Sequence, residues 1–314
     1  MAWMQAWNAL RVSEKGVDRA PTIDRAQYAE AVAPHPLPTF LVAGPPRTGS
    51  SWLHEVLQSH AHLPEATKET RFFDLHYGRG LDWYRAHFPY ASDGRPVGEV
   101  APTYFASPAA RDRIAQAIPE VKLVFVFRHP VQRLVSLYRL KRAYGMVGWS
   151  LDTALDRDPE LIGSSRYAAH LVGWQRRFPA GQIHVNLYDD LQLDPQAFVD
   201  RIADFLRMPR ILLNESQAKG CHPHASVRMT EPRWFVATRA ATSIADWCKG
   251  RGMDHFVQGV RNSRLNRLLL GGGAPFSEIP RETLEKIVRL LRPETEKLEA
   301  LLGRDLSAWK QLPE

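Results

Sequence analysis

A glycine-framed loop at residues 44–51, GPPRTGSS, is the first segment whose residue types and spacing suit chemistry. A short apolar run, FLVA, precedes it, and apolar residues at helical spacing follow it. Backbone N–H groups in such a loop, together with the helix N-terminus that it opens, favour a phosphate. Ser50 stands where nucleoside triphosphatases have the loop Lys, so Arg47 is the cation of this loop. The pattern favours a phosphate ligand other than a nucleoside triphosphate, and a turn without a ligand remains the alternative.

A second constellation follows the apolar run at residues 121–127, VKLVFVF. Arg128 comes directly after this run, and Ser136 lies eight residues further on, within a second helical pattern. Ligands of open parallel sheets bind at the carboxyl ends of the strands, so this pair is placed to hold a second phosphate group. The alternatives are an exposed charge at the end of a strand and a small packing serine.

The elements that must position these residues alternate between strand and helix. A third strand is predicted at residues 183–188, followed by a helix with Asp194 as its cap and Pro195 as its first residue. A further apolar stripe begins at Leu284 and is predicted to be interrupted at Pro293. The order predicts an α/β fold, a P-loop-type three-layer α/β/α domain with a central, mostly parallel sheet. We expect an N-terminal arm at residues 1–38 and a single domain at 39–314.

The composition restricts the class of protein. Of 314 residues, 41 are Lys or Arg and 34 are Asp or Glu, which gives a formal net charge of +7. This excess indicates an anionic partner, either nucleic acid, a membrane surface or a phosphorylated molecule. Only two cysteines are present, no apolar run reaches the roughly 18–20 residues of a membrane span, and no secretion signal is recognisable. We therefore expect a cytoplasmic protein without a membrane span.

The two constellations together resemble the signatures of sulfotransferases that use 3′-phosphoadenosine-5′-phosphosulfate. The first signature matches PRTGSS at residues 46–51, and the second matches RHPVQRLVSLY at residues 128–138, with His129 in place of the usual acidic or amide residue. Further segments are similar to the bacterial and heparan-sulfate branch of that family: KETRFFD at 68–74, GLDWY at 80–84, GEVAPTY at 98–104 and residues 167–174. The resemblance extends from about residue 40 to 206 and more loosely to the C-terminus.

The resemblance implies a set of donor-binding residues. The loop would hold the 5′-phosphosulfate, Arg128 and Ser136 the 3′-phosphate, and Trp52 would stack on the adenine. The implied donor site comprises Arg47, Thr48, Gly49, Ser50, Ser51, Trp52, Arg128, Ser136, Tyr167, Lys219 and Gly220. The product would be adenosine 3′,5′-bisphosphate, and the family requires no metal. Cys221 and the nearby His222 and His224 lack the spacing of zinc sites, so no metal is expected.

The resemblance also implies the reacting groups. Glu69 would be the general base that accepts the proton of a hydroxyl acceptor, a small molecule or a glycan, while Arg47 would neutralise the leaving group. His76 and His54 are the alternative bases. Arg71, Asp74 and His76 would contact the acceptor; because Val100 replaces the Lys of the heparan-sulfate enzymes, a highly sulfated polysaccharide is disfavoured.

Two other functional classes remain open from the sequence. A P-loop kinase-like phosphotransferase is disfavoured by Ser50 in the place of the loop Lys. A basic nucleic-acid-binding protein is suggested by Arg251, Arg261, Arg264 and Arg267, but no nucleic-acid-binding module is recognisable, so no nucleic-acid partner is expected. The sequence leaves the oligomeric state open.

Overall fold

Short apolar segments of this chain form a parallel sheet. The computed structural model describes residues 36–89, 93–219, 230–250 and 273–313, all of which belong to one compact unit, His35–Glu314. The strands are β1 (Phe40–Gly44), β2 (Gly98–Val100), β3 (Lys122–Phe127) and β4 (Ile183–Leu187). The three predicted strands are confirmed, and the edge strand β2 was not predicted. The separate arm at 1–38 and the single domain at 39–314 stay predictions.

The order of the strands brings the two constellations together. The sheet runs β2-β1-β3-β4, and every pair within it is parallel. The carboxyl ends of β1 and β3 therefore meet at the same edge, next to one another. The residues that follow these two strands, the glycine-framed loop and Arg128, are consequently neighbours in space.

Both faces of the sheet are covered, as continuous apolar strands require. Leu41, Leu123 and Phe125 belong to an apolar cluster on one face. Val42 and Val124, which alternate with them, belong to a second cluster on the other face. The described residues thus form the three-layer α/β/α arrangement that the sequence predicts.

The helices supply the outer layers and the supports of the site. In chain order they are α1 (Ser50–Leu57), α2 (Leu81–Arg85), α3 (Pro108–Ala117), α4 (Pro130–Ala143), α5 (Leu151–Arg157), α6 (Pro159–Gly163), α7 (Tyr167–Gln175), α8 (Tyr188–Leu193), α9 (Pro195–Leu206), α10 (Glu215–Ala218), α11 (Phe235–Gly250) and α12 (Arg281–Leu302). A π-helical turn lies at Phe72–His76, and 3-10 turns include Pro102–Tyr104. The predicted cap of α9 is confirmed, since the Asp194 side chain accepts a hydrogen bond from the Ala197 N–H. None of the described helices combines the length and apolar character needed to cross a membrane.

The C-terminal helix corrects one expectation. The sequence predicts an interruption at Pro293, but α12 continues through this residue. A proline inside a helix costs about 3 kcal/mol, because it removes one backbone hydrogen bond and crowds the preceding turn. The buried residues Ile287, Leu291 and Leu298 lie on both sides of it. Each stabilises the helix by about 1.5–3 kcal/mol through its burial, so packing outweighs the local preference.

Candidate functional site

The loop after β1 has the backbone of an anion-binding turn. Gly44 has a φ of 109°, and a Cβ at this position would lie 2.1 Å from the carbonyl oxygen of Pro102. Arg47 and Gly49 also adopt left-handed conformations, with φ values of 74° and 89°. Thr48 closes the loop from within, because its hydroxyl donates to the carbonyl of Pro45 over 2.7 Å. The loop is therefore a tight structure in which two glycines are required by the backbone.

The start of α1 is open to an anion. Its N-cap is Gly49, which has no side chain to accept a hydrogen bond from the N–H groups of the first turn, and the first turn has no acidic residue. The backbone N–H groups of a first helical turn lack partners inside the helix and carry the positive end of its dipole. Within the described residues, this geometry fits the predicted binding of a phosphate or phosphosulfate group.

A direct contact joins the two constellations. Arg47 Nε donates a hydrogen bond of 2.9 Å to the hydroxyl of Ser136, which lies 89 positions later in the chain, on α4. The cation of the first predicted phosphate site thus touches the hydroxyl of the second. The two predicted phosphate sites are therefore adjacent, beside the carboxyl ends of β1 and β3.

Arg128 is half-buried beside this contact. Its Nε donates to the side-chain oxygen of Gln132 over 3.3 Å, and its guanidinium lies 4.6 Å from the ring centroid of Tyr188. Tyr167 holds the backbone of the same residue, since its hydroxyl donates to the carbonyl of Arg128 over 3.0 Å. The Tyr167 ring is buried and stacks on Phe127 at 4.8 Å, so this contact positions the backbone at Arg128. Contact between Tyr167 and adenine stays a prediction.

Trp52 connects the loop to the segment that carries Lys219. The indole is largely buried, packs edge-on against Phe198 at 6.2 Å, and donates its Nε1–H to the carbonyl of Gln217 over 3.3 Å. Lys219 follows two positions later and is exposed. Gly220 lies outside the described residues, so its predicted role, like the stacking role of Trp52, stays a prediction.

Glu69 lies next to the loop. The ammonium group of Lys68 is 3.1 Å from the hydroxyl of Ser51 and 3.4 Å from Oε1 of Glu69. Lys68 therefore links the candidate base to the candidate phosphosulfate site. Lys68 was not among the predicted site residues. Its only sequence signal is a cation directly before the predicted base.

Arg71 and Asp74 form a pair of their own. Both Nε and Nη2 of Arg71 lie 2.7 Å from Oδ2 of Asp74, and the backbone at Arg71 is left-handed, with a φ of 55°. His76, at the end of the same turn, packs edge-on against Trp83 at 5.5 Å. The structure thus places these three residues together beyond Glu69, and their contact with an acceptor stays a prediction.

His54 is poorly suited to the role of base. Burial, together with the charge of Lys68, lowers the pKa of its imidazole to about 4, so the neutral ring is a weak proton acceptor near pH 7. Its Nε2 is buried without a hydrogen-bond partner among the described residues. The ring lines a cavity of about 410 Å³ beside α1, together with Gln58, Lys68 and Arg95. The ring can therefore donate or accept a hydrogen bond within the cavity, according to its tautomer.

Some predicted features lie outside the described residues. These are Gly220, Cys221, His222, His224 and the arginines at 251, 261, 264 and 267. Among the residues that the structure does describe, no three His, Cys, Asp or Glu side chains come together as metal ligands.

Comparison with known proteins places this site in a family. A model of the sulfotransferase domain matches residues 37–246. Mouse heparan sulfate glucosamine 3-O-sulfotransferase 3A1 is 28% identical over 282 residues, which cover 86% of this chain and 64% of the mouse protein. A Drosophila melanogaster protein, the bifunctional heparan sulfate N-deacetylase/N-sulfotransferase, is 30% identical over 210 residues, or 56% of this chain and 20% of that protein. The chain spans less than two thirds of the length of both relatives.

A solved structure agrees with the fold. The sulfotransferase of Alicyclobacillus acidocaldarius superimposes with a TM-score of 0.63 at 20% identity, and the match covers 88% of this chain and 100% of that one. The predicted fold class is therefore confirmed.

Proposed function

Because the chain belongs to the sulfotransferase family, we propose that it moves a sulfuryl group from 3′-phosphoadenosine-5′-phosphosulfate to a hydroxyl acceptor. The main support for this proposal is the 2.9 Å contact between Arg47 and Ser136, which brings the two predicted phosphate-binding constellations together. A donor with phosphate groups at both its 5′ and 3′ ends requires two such sites at once. A nucleoside triphosphate, whose phosphates form one chain, does not.

The donor would lie along the edge of the sheet. Its 5′-phosphosulfate would be held by the N–H groups of residues 48–51 and by Arg47, and its 3′-phosphate by Arg128 and Ser136. Trp52, Tyr167, Lys219 and Gly220 would complete the site around the adenosine.

Glu69 would act as the general base. As the acceptor oxygen forms a bond to sulfur, the bond from sulfur to the leaving phosphate oxygen breaks, and Glu69 takes the hydroxyl proton. Sulfuryl transfer depends chiefly on positioning and charge stabilisation, as phosphoryl transfer does. Arg47 and Lys68 would neutralise charge on the leaving group and on the sulfuryl oxygens, because one is in the loop and the other touches Ser51.

The acceptor would be a hydroxyl of a glycan or of a small molecule. The similarity to enzymes named for heparan sulfate supports a glycan, and the cavity beside α1 offers room for a sugar next to Lys68. The lining combines Lys68 and Arg95 with Glu65, and Arg95 is already paired with Asp93 at 2.7 Å. Such a mixed charge supports an acceptor that carries few sulfate groups. The uncharged, buried Val100 of β2, where the heparan-sulfate enzymes have a Lys, supports the same conclusion.

Calorimetry with adenosine 3′,5′-bisphosphate tests the donor site. We expect micromolar binding without magnesium, weakened in Arg128→Ala and Ser136→Ala. Binding of ATP with magnesium, in the absence of any binding of the bisphosphate, would instead support the kinase-like alternative and contradict the proposal.

Transfer itself is tested with radiolabelled donor and a panel of hydroxyl acceptors, from simple phenols to desulfated and sulfated heparan oligosaccharides. Label should appear in at least one acceptor and be absent with Glu69→Gln. A cytoplasmic location, proposed from the sequence, is tested by fractionation of the cells that produce the protein.

A further inference from the structure

A second carboxylate, that of Glu99, is hydrogen-bonded to Thr70, the residue that follows the candidate base. Glu99 belongs to β2, and its side chain is completely buried. It points into the aromatic side chains of Phe72, Phe73, Tyr84 and Tyr104, which form part of the apolar cluster on that face of the sheet. A carboxylate in such surroundings is costly unless every oxygen is hydrogen-bonded, so the partners of Glu99 indicate what the charge is used for.

The hydrogen bonds of Glu99 hold the segment that carries Glu69. Oε1 of Glu99 accepts hydrogen bonds of 2.7 Å from both the backbone N–H and the hydroxyl of Thr70. Oε2 accepts one of 2.8 Å from the hydroxyl of Tyr84 and one of 3.2 Å from that of Tyr104. Because Thr70 donates twice to one oxygen, the peptide between Glu69 and Thr70 has a single orientation.

The same donors continue the network along the loop. The hydroxyl of Thr70 accepts from the N–H of Phe72 over 3.2 Å, and that of Tyr104 accepts from the N–H of Phe73 over 3.5 Å. The left-handed backbone at Arg71 lies between these anchored positions. Such strain persists only where the surroundings determine the conformation, and here the Glu99 network does so.

We propose that Glu99 is a positioning residue for sulfuryl transfer: its carboxylate orients the Glu69–Thr70 peptide and places a second negative charge beside the backbone of Glu69. This inference rests on the proposed function, in which Glu69 is the base. Glu99 does not touch the reacting atoms, and it acts through Thr70.

The protonation of Glu99 is poised near neutrality. Burial, and to a smaller extent the charge of Glu69, raises its pKa to about 7 against the hydrogen bonds from Thr70 and Tyr84, which lower it. The other ionisable groups in contact are Tyr84 and Tyr104, and the charges of Arg71 and Asp74 lie near Tyr104. Above pH 7 the ionised carboxylate accepts all of its hydrogen bonds. Below pH 7 the protonated carboxyl must itself donate one, and the network around Thr70 loosens.

Two measurements test the proposal. In carbon-13 NMR of glutamate-labelled protein, the carboxyl signal that disappears in Glu99→Gln should titrate near pH 7. In Glu69→Gln the titration midpoint of Glu99 should fall by about half a pH unit or more, because a nearby negative charge is removed. An unchanged midpoint would show that the two carboxylates are not coupled and would overturn the proposal.

The second measurement is the pH profile of kcat with an acceptor from the panel. In the wild type kcat should rise through about pH 7; in Glu99→Gln it should stay at the lower level, about 10-fold down, with unchanged affinity for the bisphosphate. Thr70→Val, which keeps the charge but removes the hydrogen bonds of the Thr70 hydroxyl to Glu99 and from Phe72, should lower kcat and retain the rise. Asp158→Asn is the control, a mostly buried carboxylate paired with Lys141 at 2.6 Å, and should change stability but not the profile.

The outcomes separate the two hypotheses. A Glu99→Gln profile that superimposes on the wild type, or a loss of bisphosphate binding in this variant, would overturn the positioning role. If the wild type sulfates no acceptor, the proposed function fails, whereas the NMR titration still decides whether Glu99 and Glu69 are coupled.

Discussion

The donor loop and the base loop lie side by side but are built in different ways. The donor loop, residues 44–51, is shaped by its own backbone, with left-handed residues at Gly44, Arg47 and Gly49 and a hydrogen bond between Thr48 and Pro45. The base loop, residues 68–74, is held by side chains from elsewhere, chiefly Glu99 and Tyr104. The conformation of the donor loop is thus determined by residues close together in the chain, whereas the orientation of the proposed base depends on tertiary contacts.

The largest effect should come from the base itself. Glu69→Gln should lower kcat at least about 10²-fold, because a general base contributes on this scale, while the affinity for adenosine 3′,5′-bisphosphate remains intact. Steady-state kinetics and calorimetry measure the two quantities. Asp82→Asn, which alters an exposed carboxylate on α2, is the control. Unchanged turnover in Glu69→Gln would assign the base to another residue, and the comparison between the loops would lose its catalytic meaning.

Substitutions in the proposed donor site should change the affinity for the donor rather than the turnover of the bound complex. Arg128→Ala should weaken bisphosphate binding about 10- to 100-fold, because a hydrogen bond to a charged group contributes about 1.5–3 kcal/mol. Gln132→Ala removes the 3.3 Å partner of Arg128 and is the matched control, with a small expected effect. Equal affinities in Arg128→Ala and the wild type, measured by calorimetry, would contradict the second phosphate site.

Lys68 lies between the two loops and should combine both behaviours. Lys68→Met should lower kcat about 10-fold, because a charge-assisted contact near the transferred group is lost, and Lys68→Arg should restore most of the rate. The measurement is kcat and KM with the donor varied. An effect on donor KM alone, with kcat unchanged, would assign Lys68 to the donor loop only.

The smallest effect concerns stability. Glu99 ionises near pH 4.5 in an unfolded chain and near 7 in the folded protein, because burial disfavours its charge. Between these values the folded state keeps a proton that the unfolded state has released. The contribution of Glu99 to the free energy of unfolding should therefore be highest below about pH 4.5 and fall as the pH rises to about 7, by at most about 1.4 kcal/mol per pH unit.

Urea denaturation of the wild type and of Glu99→Gln at a series of pH values measures this dependence. The variant should show a flatter curve over the same interval. Parallel curves would mean that Glu99 does not carry the shift, and the base loop would then lack the charged anchor that distinguishes it from the donor loop.

Much of the fold was predictable from the sequence. Two strands, β1 and β3, are largely apolar runs next to turn residues, which is the pattern of strands buried on both faces. The edge strand β2 was missed because it is three residues long and contains Glu99, a residue type that disfavours strands. The continuity of α12 through Pro293 was missed because local propensity was weighed without the packing that overrides it.

The candidate site divides in the same way. Arg47, Arg128 and Ser136 were predictable, because their positions relative to strand ends set where they lie. The burial of Trp52 and Tyr167 was not, because it depends on partners such as Phe198 and Phe127.

The amino-acid sequence by itself determined the parallel sheet, the glycine-framed loop and the family of the protein. These features depend on residues close to one another along the chain, where the spacing of apolar side chains and the φ preferences of glycine act directly. Only the tertiary structure decided that Arg47 reaches Ser136, that Lys68 reaches Ser51, and that Glu99 holds Thr70. Such contacts join residues from 17 to 89 positions apart, and they form because the packing of the sheet brings their backbones together.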